Sequence, residues 1–205
     1  MPQMYPLWLL KYLPNMPASH VAIFNEMRGP NNSLTMREAA GNLAIGEAFR
    51  TIQRGHANVM VAGATGTRIL PMQAIHALQT EQMAAENCDP AKASRPFDKN
   101  RDGLVPSGGA ATVILESLES ARHRGATILG EVIGYGFSSN GEHISNPSVQ
   151  GPARSLRMAM KNSGLQASEI DYVNAHATST PAGDASEAKA IFDVFGEANT
   201  PVSST

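Results

Sequence analysis

The run "NAHATSTPAGDASEA" (174–188) holds five side chains that could act together: His176, Thr178, Thr180, Asp184 and Glu187. An imidazole can hold or donate a proton near neutral pH. Thr178 and Thr180 stand two positions apart, so an extended segment would present both hydroxyls on one side. The Pro-Ala-Gly-Asp turn then launches a helix carrying Asp184 and Glu187. An N-capping role explains Asp184 alone. It leaves the histidine and the paired threonines unaccounted for, so the segment reads as functional. His176 follows the run "IDYV" and would emerge at the end of a strand, where open α/β sheets bind their ligands.

Glu38 is the second position. In "NNSLTMREAAGNLAIGEAFRTI" (31–52) a short apolar stretch turns into an amphipathic helix, a common mount for a nucleophile, yet the residue is an acid. Locally "TMRE" fits a capping box, with Thr35 as N-cap and Glu38 reaching back to it. The local pattern favours that structural reading over a catalytic one.

Other candidates carry less. His20, among apolar residues of a helix, reads as packing. His56, His76, His123 and His143 are scattered without ligand spacing, and no metal is expected. Cys88 is the single cysteine, which excludes an internal disulfide; beside Asp89 and Pro90 it has no evident activator and is not expected to be a nucleophile. "PSGGAA" fits no phosphate-binding loop. "RPFDKNRDG" reads as a surface loop held by its own Arg–Asp pairs.

The elements that must position these residues follow from periodicity. Helices are expected over 15–26, 39–54, 72–83, 118–125, 151–164 and 183–196. In the second of these, Ala40, Leu43, Ala44, Ala48 and Ile52 recur at helical spacing. Continuous apolar runs at 57–64 and 109–117 have the length of strands covered on both faces. "SLT" (33–35) reads as a short buried strand, 126–140 as a long strand with glycine interruptions, and 170–177 as a strand ending in polar residues. "TPVSST" begins one more, and a chain that stops inside an apolar strand reads as a fragment. Strands alternating with helices imply α/β layers around a mixed sheet.

Composition bounds the function. A chain of 205 residues with a formal charge of −2 has no electrostatic footprint for nucleic acid. No apolar run approaches the roughly 20 residues of a membrane span. The opening "MPQMYPLWLLKYL" lacks a basic leader and a cleavage site, so no signal peptide is expected. A reducing cytoplasm fits best.

In order and spacing, several motifs resemble the β-ketoacyl-acyl-carrier-protein synthases, the condensing enzymes of fatty acid and polyketide synthesis. They are "NMPASHVAI" with "RGPN", "GHANVMVAGAT", "ASRPFDKNRDGLVPSGGAATVILE" and "QASEIDYVNAHATSTPAGD". The resemblance implies a thiolase-like layered α/β/α/β/α fold, here incomplete at about half of a usual member. Residues 1–117 would end its N-terminal half and 118–205 would begin its C-terminal half. A Lys-Ser-x-x-Gly-His motif holding the family's lysine and second catalytic histidine would follow Thr205.

The same resemblance implies a dimer, either a homodimer or a heterodimer with a ketosynthase. The partner would be acyl carrier protein, with substrate carried on its phosphopantetheine and no other cofactor. His176 would be the first catalytic histidine, Thr178 and Thr180 would line the pantetheine entrance, and Asp184 and Glu187 would support the site from behind. Counting from Gly29-Pro30 and back from "VMVAG" puts Glu38 where the family has its nucleophilic cysteine. Condensation through a thioester is then doubtful and decarboxylation of malonyl thioesters possible. The alternative is a silent partner subunit of an active ketosynthase, in the manner of a chain-length factor. Ala177 in place of a usual glycine is a further departure.

Overall fold

The computed structural model describes residues 7–85, 89–143 and 146–204. Cys88 lies outside them, as does part of the 126–149 region. The chain divides into two compact units, one formed by residues 1–66 and 109–131, the other by 67–108 and 132–205.

The first unit contains α1 (Met16–Phe24), a 3-10 turn (Arg37–Ala39), α2 (Ala40–Gln53), β1 (Val59–Thr67), β2 (Gly108–Glu116) and α4 (Leu118–His123). Of β1 and β2, only the end residues Thr67 and Gly108 fall outside it. The strands run in opposite directions: Ser117 N donates to Asn58 O at one end, and Arg68 N donates to Ser107 O at the other. Gly63 sits in that ladder because a Cβ there would strike Ala111 O. Gly46, Ala48 and Thr51 on α2, Ala62 on β1 and Ala121 on α4 are its buried positions among the described residues.

Three expectations fail in this unit. Residues 33–35 form no strand, since their backbone finds no ladder partner among the described residues. The apolar runs at 57–64 and 109–117 form strands but are not covered on both faces: β1 buries Ala62 while Val59 and Val61 stay exposed, and Ile114 on β2 is 67% exposed. α1 buries none of its residues, and His20 is exposed, stacked on Phe24 with ring centroids 5.8 Å apart.

The second unit contains α3 (Pro71–Thr80), a 3-10 turn (Pro90–Lys92), α5 (Gln150–Ser163), a further 3-10 turn (Ala167–Glu169), β3 (Val173–Asn174), α6 (Pro181–Phe195) and β4 (Val202–Ser203). β3 and β4 pair in parallel, Val173 with Val202 and Asn174 with Ser203. Their core is Ala175, Ala177, Ile191 and Phe195, against which Phe97, Leu156, Met160, Ile170 and Val194 pack. Proline opens α6 where no N–H is needed, and Gly164 ends α5 at φ 76°.

Residues 126–140 form no strand. Part of this stretch lies on α5: a Cβ at Gly134 would come within 2.7 Å of Ala159 O, and one at Gly136 within 2.5 Å of Ala159 N. Gly134 and Gly136 therefore mark a close approach to a helix rather than breaks in a ladder, whereas a Cβ at Gly130 would meet nothing within 4 Å. Among the described residues no helix is long and apolar enough to cross a membrane.

Candidate functional site

Five of the six singled-out residues come together in the second unit. His176 and Ala177 follow β3, and their backbone is gripped from both sides. Glu187, in the second turn of α6, accepts from His176 N through Oε1 at 2.8 Å and from Ala177 N through Oε2 at 2.7 Å. Ser204, just past β4, donates its hydroxyl to Ala177 O at 3.1 Å and His176 O at 3.3 Å. A carboxylate that accepts two N–H groups satisfies donors that a two-residue ladder cannot reach. The imidazole itself stands exposed.

The next residues are fixed from the other side. Ser179 is fully buried at φ 71°, a conformation unusual for a residue with a Cβ, and its Oγ accepts from Arg95 N at 3.1 Å. Phe97, at φ 63°, donates its N–H to Asp184 Oδ2 at 2.9 Å. Each left-handed residue costs roughly 1–2 kcal/mol and persists because its surroundings over-determine it. Thr178 Oγ1 and Thr180 Oγ1 lie 3.4 Å apart, both half-buried. Thr180 tucks over the first turn of α6, where a Cβ on Gly183 would strike its hydroxyl.

Asp184 is 1% exposed and is balanced by Arg101, whose Nε lies 3.3 Å from Oδ2. The same guanidinium donates from Nη2 to Pro181 O at 2.7 Å and from Nε to Thr180 O at 3.3 Å. Asp184 Oδ1 is buried with no hydrogen-bond partner among the described residues. The expectation that "RPFDKNRDG" is closed by its own pairs thus holds for Arg95 and Asp102, at 2.9 Å, and fails for Arg101. The sequence reading missed Arg101, Ser179 and Ser204. No local pattern marks an arginine whose carbonyl partners lie 79 and 80 positions later.

Glu38 belongs to the first unit. It sits in the 3-10 turn before α2, and Thr35 is not the cap of that helix: the N-cap of the turn is Met36, without a side-chain cap bond. The capping box fails because Arg37, at φ 50°, turns the chain between Thr35 and Glu38. The Glu38 carboxylate is 42% exposed and lies 3.7 Å from Arg37 Nε. Among the described residues no group of three or more His, Cys, Asp or Glu could hold a metal.

An exposed imidazole, two and four residues from a pair of hydroxyls on a backbone pinned by acids and an arginine, can direct a hydrogen bond at an oxygen that gains charge. Two family models cover the chain: "Beta-ketoacyl synthase, N-terminal domain" matches residues 2–121 and "Beta-ketoacyl synthase, C-terminal domain" matches residues 129–205. The chain belongs to the β-ketoacyl synthase family, and its fold is a partial thiolase-like α/β fold. It is 42% identical over 204 residues to 3-oxoacyl-[acyl-carrier-protein] synthase 2 of Synechocystis sp., covering 98% of this chain and 49% of that protein. The crystal structure of a β-ketoacyl synthase from Burkholderia phymatum superposes with a TM-score of 0.89 at 37% identity, over 94% of this chain and 47% of the other. The ishigamide ketosynthase/chain length factor gives 0.79 at 34% identity, over 94% and 46%. The chain therefore spans about half the length of the relatives it matches.

Proposed function

We propose that the protein acts on malonyl or acyl thioesters of acyl carrier protein, in fatty acid or polyketide synthesis, by decarboxylation rather than condensation. The observation that carries this reading is the pinned 176–184 segment, which holds an exposed His176 and, two and four residues on, the half-buried Thr178 and Thr180 hydroxyls bonded to each other at 3.4 Å. The relatives' names supply the carrier-protein substrate.

Decarboxylation breaks the bond between the malonyl carboxylate carbon and its neighbour and leaves the electron pair as an enolate of the thioester. His176 donates a hydrogen bond to the enolate oxygen, and a proton then returns to carbon to give the acetyl thioester. Thr178 and Thr180 receive the phosphopantetheine arm. Asp184 and Glu187 act only through the backbone they hold. Glu38 replaces the thiol on which condensation would build an acyl intermediate. The halves divide near residue 117, the protein works in the cytoplasm, and it is dimeric.

A second reading is favoured by the carboxylate at position 38 and by the likeness to a ketosynthase/chain length factor: a silent subunit beside an active ketosynthase. Mass spectrometry of malonyl carrier protein separates the two. Conversion to acetyl carrier protein, with no condensed product when an acyl carrier protein is added, supports the first. An unchanged malonyl thioester, together with a stable complex with a full-length ketosynthase, establishes the second.

A further inference from the structure

We propose that Arg101 is a positioning residue for the 176–184 segment, tying the "RPFDKNRDG" loop to the start of α6 so that His176 and the two threonines are held in one arrangement. The functional part of this inference rests on the reading of His176 given above; the structural part does not.

The "RPFDKNRDG" loop attaches to the segment at three places. Arg95 N binds Ser179 Oγ, Phe97 N binds Asp184 Oδ2, and Arg101 binds Asp184, Thr180 and Pro181. Two of these are single neutral donors. Only Arg101 brings charge, and it meets a carboxylate that is 1% exposed while its own side chain is 17% exposed. A buried carboxylate stripped of its cation is an uncompensated charge, so the local arrangement depends on this one guanidinium more than on any other group in the loop. The fork geometry matters as well. Nε reaches Asp184 Oδ2 and Thr180 O, Nη2 reaches Pro181 O, and Nη1 returns to Asp98 O at 2.9 Å. A lysine ammonium supplies the charge but cannot span those acceptors in one plane.

Two strained residues lie on this joint. Phe97 and Ser179 each hold a positive φ, and each is bonded across it. Release of Arg101 frees both to relax toward ordinary conformations, and Ser179 is one residue from each threonine. The effect of losing Arg101 is therefore local disorder between residues 176 and 184, not collapse of α5.

The test is amide hydrogen exchange on the whole chain, comparing Arg101→Met and Arg101→Lys with the parent. The amides of Phe97, His176 and Ala177 are read against those of Ala153 and Gly164, which are bonded at the two ends of α5. Arg101→Met is expected to speed exchange at the first three by about tenfold or more while the α5 amides stay within about twofold. Arg101→Lys gives the same pattern at smaller amplitude, and decides by the same criterion should Arg101→Met not fold. Equal acceleration at both sets of amides, or none at either, overturns the proposal.

Malonyl decarboxylation is measured beside it. Arg101→Lys lowers kcat and leaves KM within about twofold, because charge is kept while alignment is lost. A parent chain that releases no carbon dioxide overturns the proposed function, and the exchange pattern still decides the role of Arg101.

Discussion

Asp184 carries a carboxylate into the interior at the first turn of α6, where Oδ2 meets both the Arg101 guanidinium and the Phe97 amide. Removing it leaves the Arg101 cation and the Phe97 N–H without their shared acceptor. Asp184→Ala is expected to lower stability by about 3–5 kcal/mol, the range for breaking a buried pair from one side. Urea unfolding read by circular dichroism checks this. An Asp184→Asn variant, which keeps an acceptor for the Phe97 amide, loses less. His176 and the threonines could be singled out in the sequence because their types exceed what a polar loop needs. Arg101 was not legible, because its role lies in three acceptors brought near by folding.

At the scale of elements, glycines give the sharpest contrast. Gly164 has open space around it and φ 76°, so Gly164→Ala costs only the left-handed backbone, about 1–2 kcal/mol. Gly136 lies against α5, and a Cβ there would meet the Met158 Cβ at 2.8 Å as well as the helix backbone. Gly136→Ala must move the segment off the helix, and its thermal midpoint should fall further than that of Gly164→Ala. The β2–α4 junction offers a pH test. Arg124 binds Glu116 through two nitrogens, at 2.7 to 3.0 Å, and the Ser120 hydroxyl adds a bond at 2.7 Å. The hydrogen bond from Arg124, then that from Ser120, holds the Glu116 carboxyl below its ordinary value. A depressed carboxyl stabilises the fold above its unfolded-state value and loses that contribution as pH falls through its folded value. Glu116→Gln should therefore lower stability at neutral pH and flatten the acid limb, its difference from the parent closing as pH falls below the ordinary carboxylate range; urea unfolding at a series of pH values checks this.

The helices over 40–53, 150–163 and 181–195 were readable within one or two residues, because amphipathic spacing and the glycine and proline stops act locally. Strand burial was not readable. An apolar run such as 109–117 reports what a strand would bury, not whether a neighbour covers it, and β2 is exposed at seven of its nine positions. The capping box at Thr35–Glu38 failed for a related reason: the pattern of types was present, but the positive φ of Arg37 bends the chain out of the geometry a box requires.

The whole molecule combines two units, each with its own share of family motifs, in a chain that spans about half the length of the relatives it matches. The central claim is that the second unit carries a working histidine. The direct measurement is the initial rate of carbon dioxide release from malonyl carrier protein by the chain and by His176→Ala, both shown to be folded by circular dichroism. A hydrogen-bond donor to the enolate predicts a fall of about a hundredfold in the variant. Equal rates in the two proteins would contradict the assignment of His176.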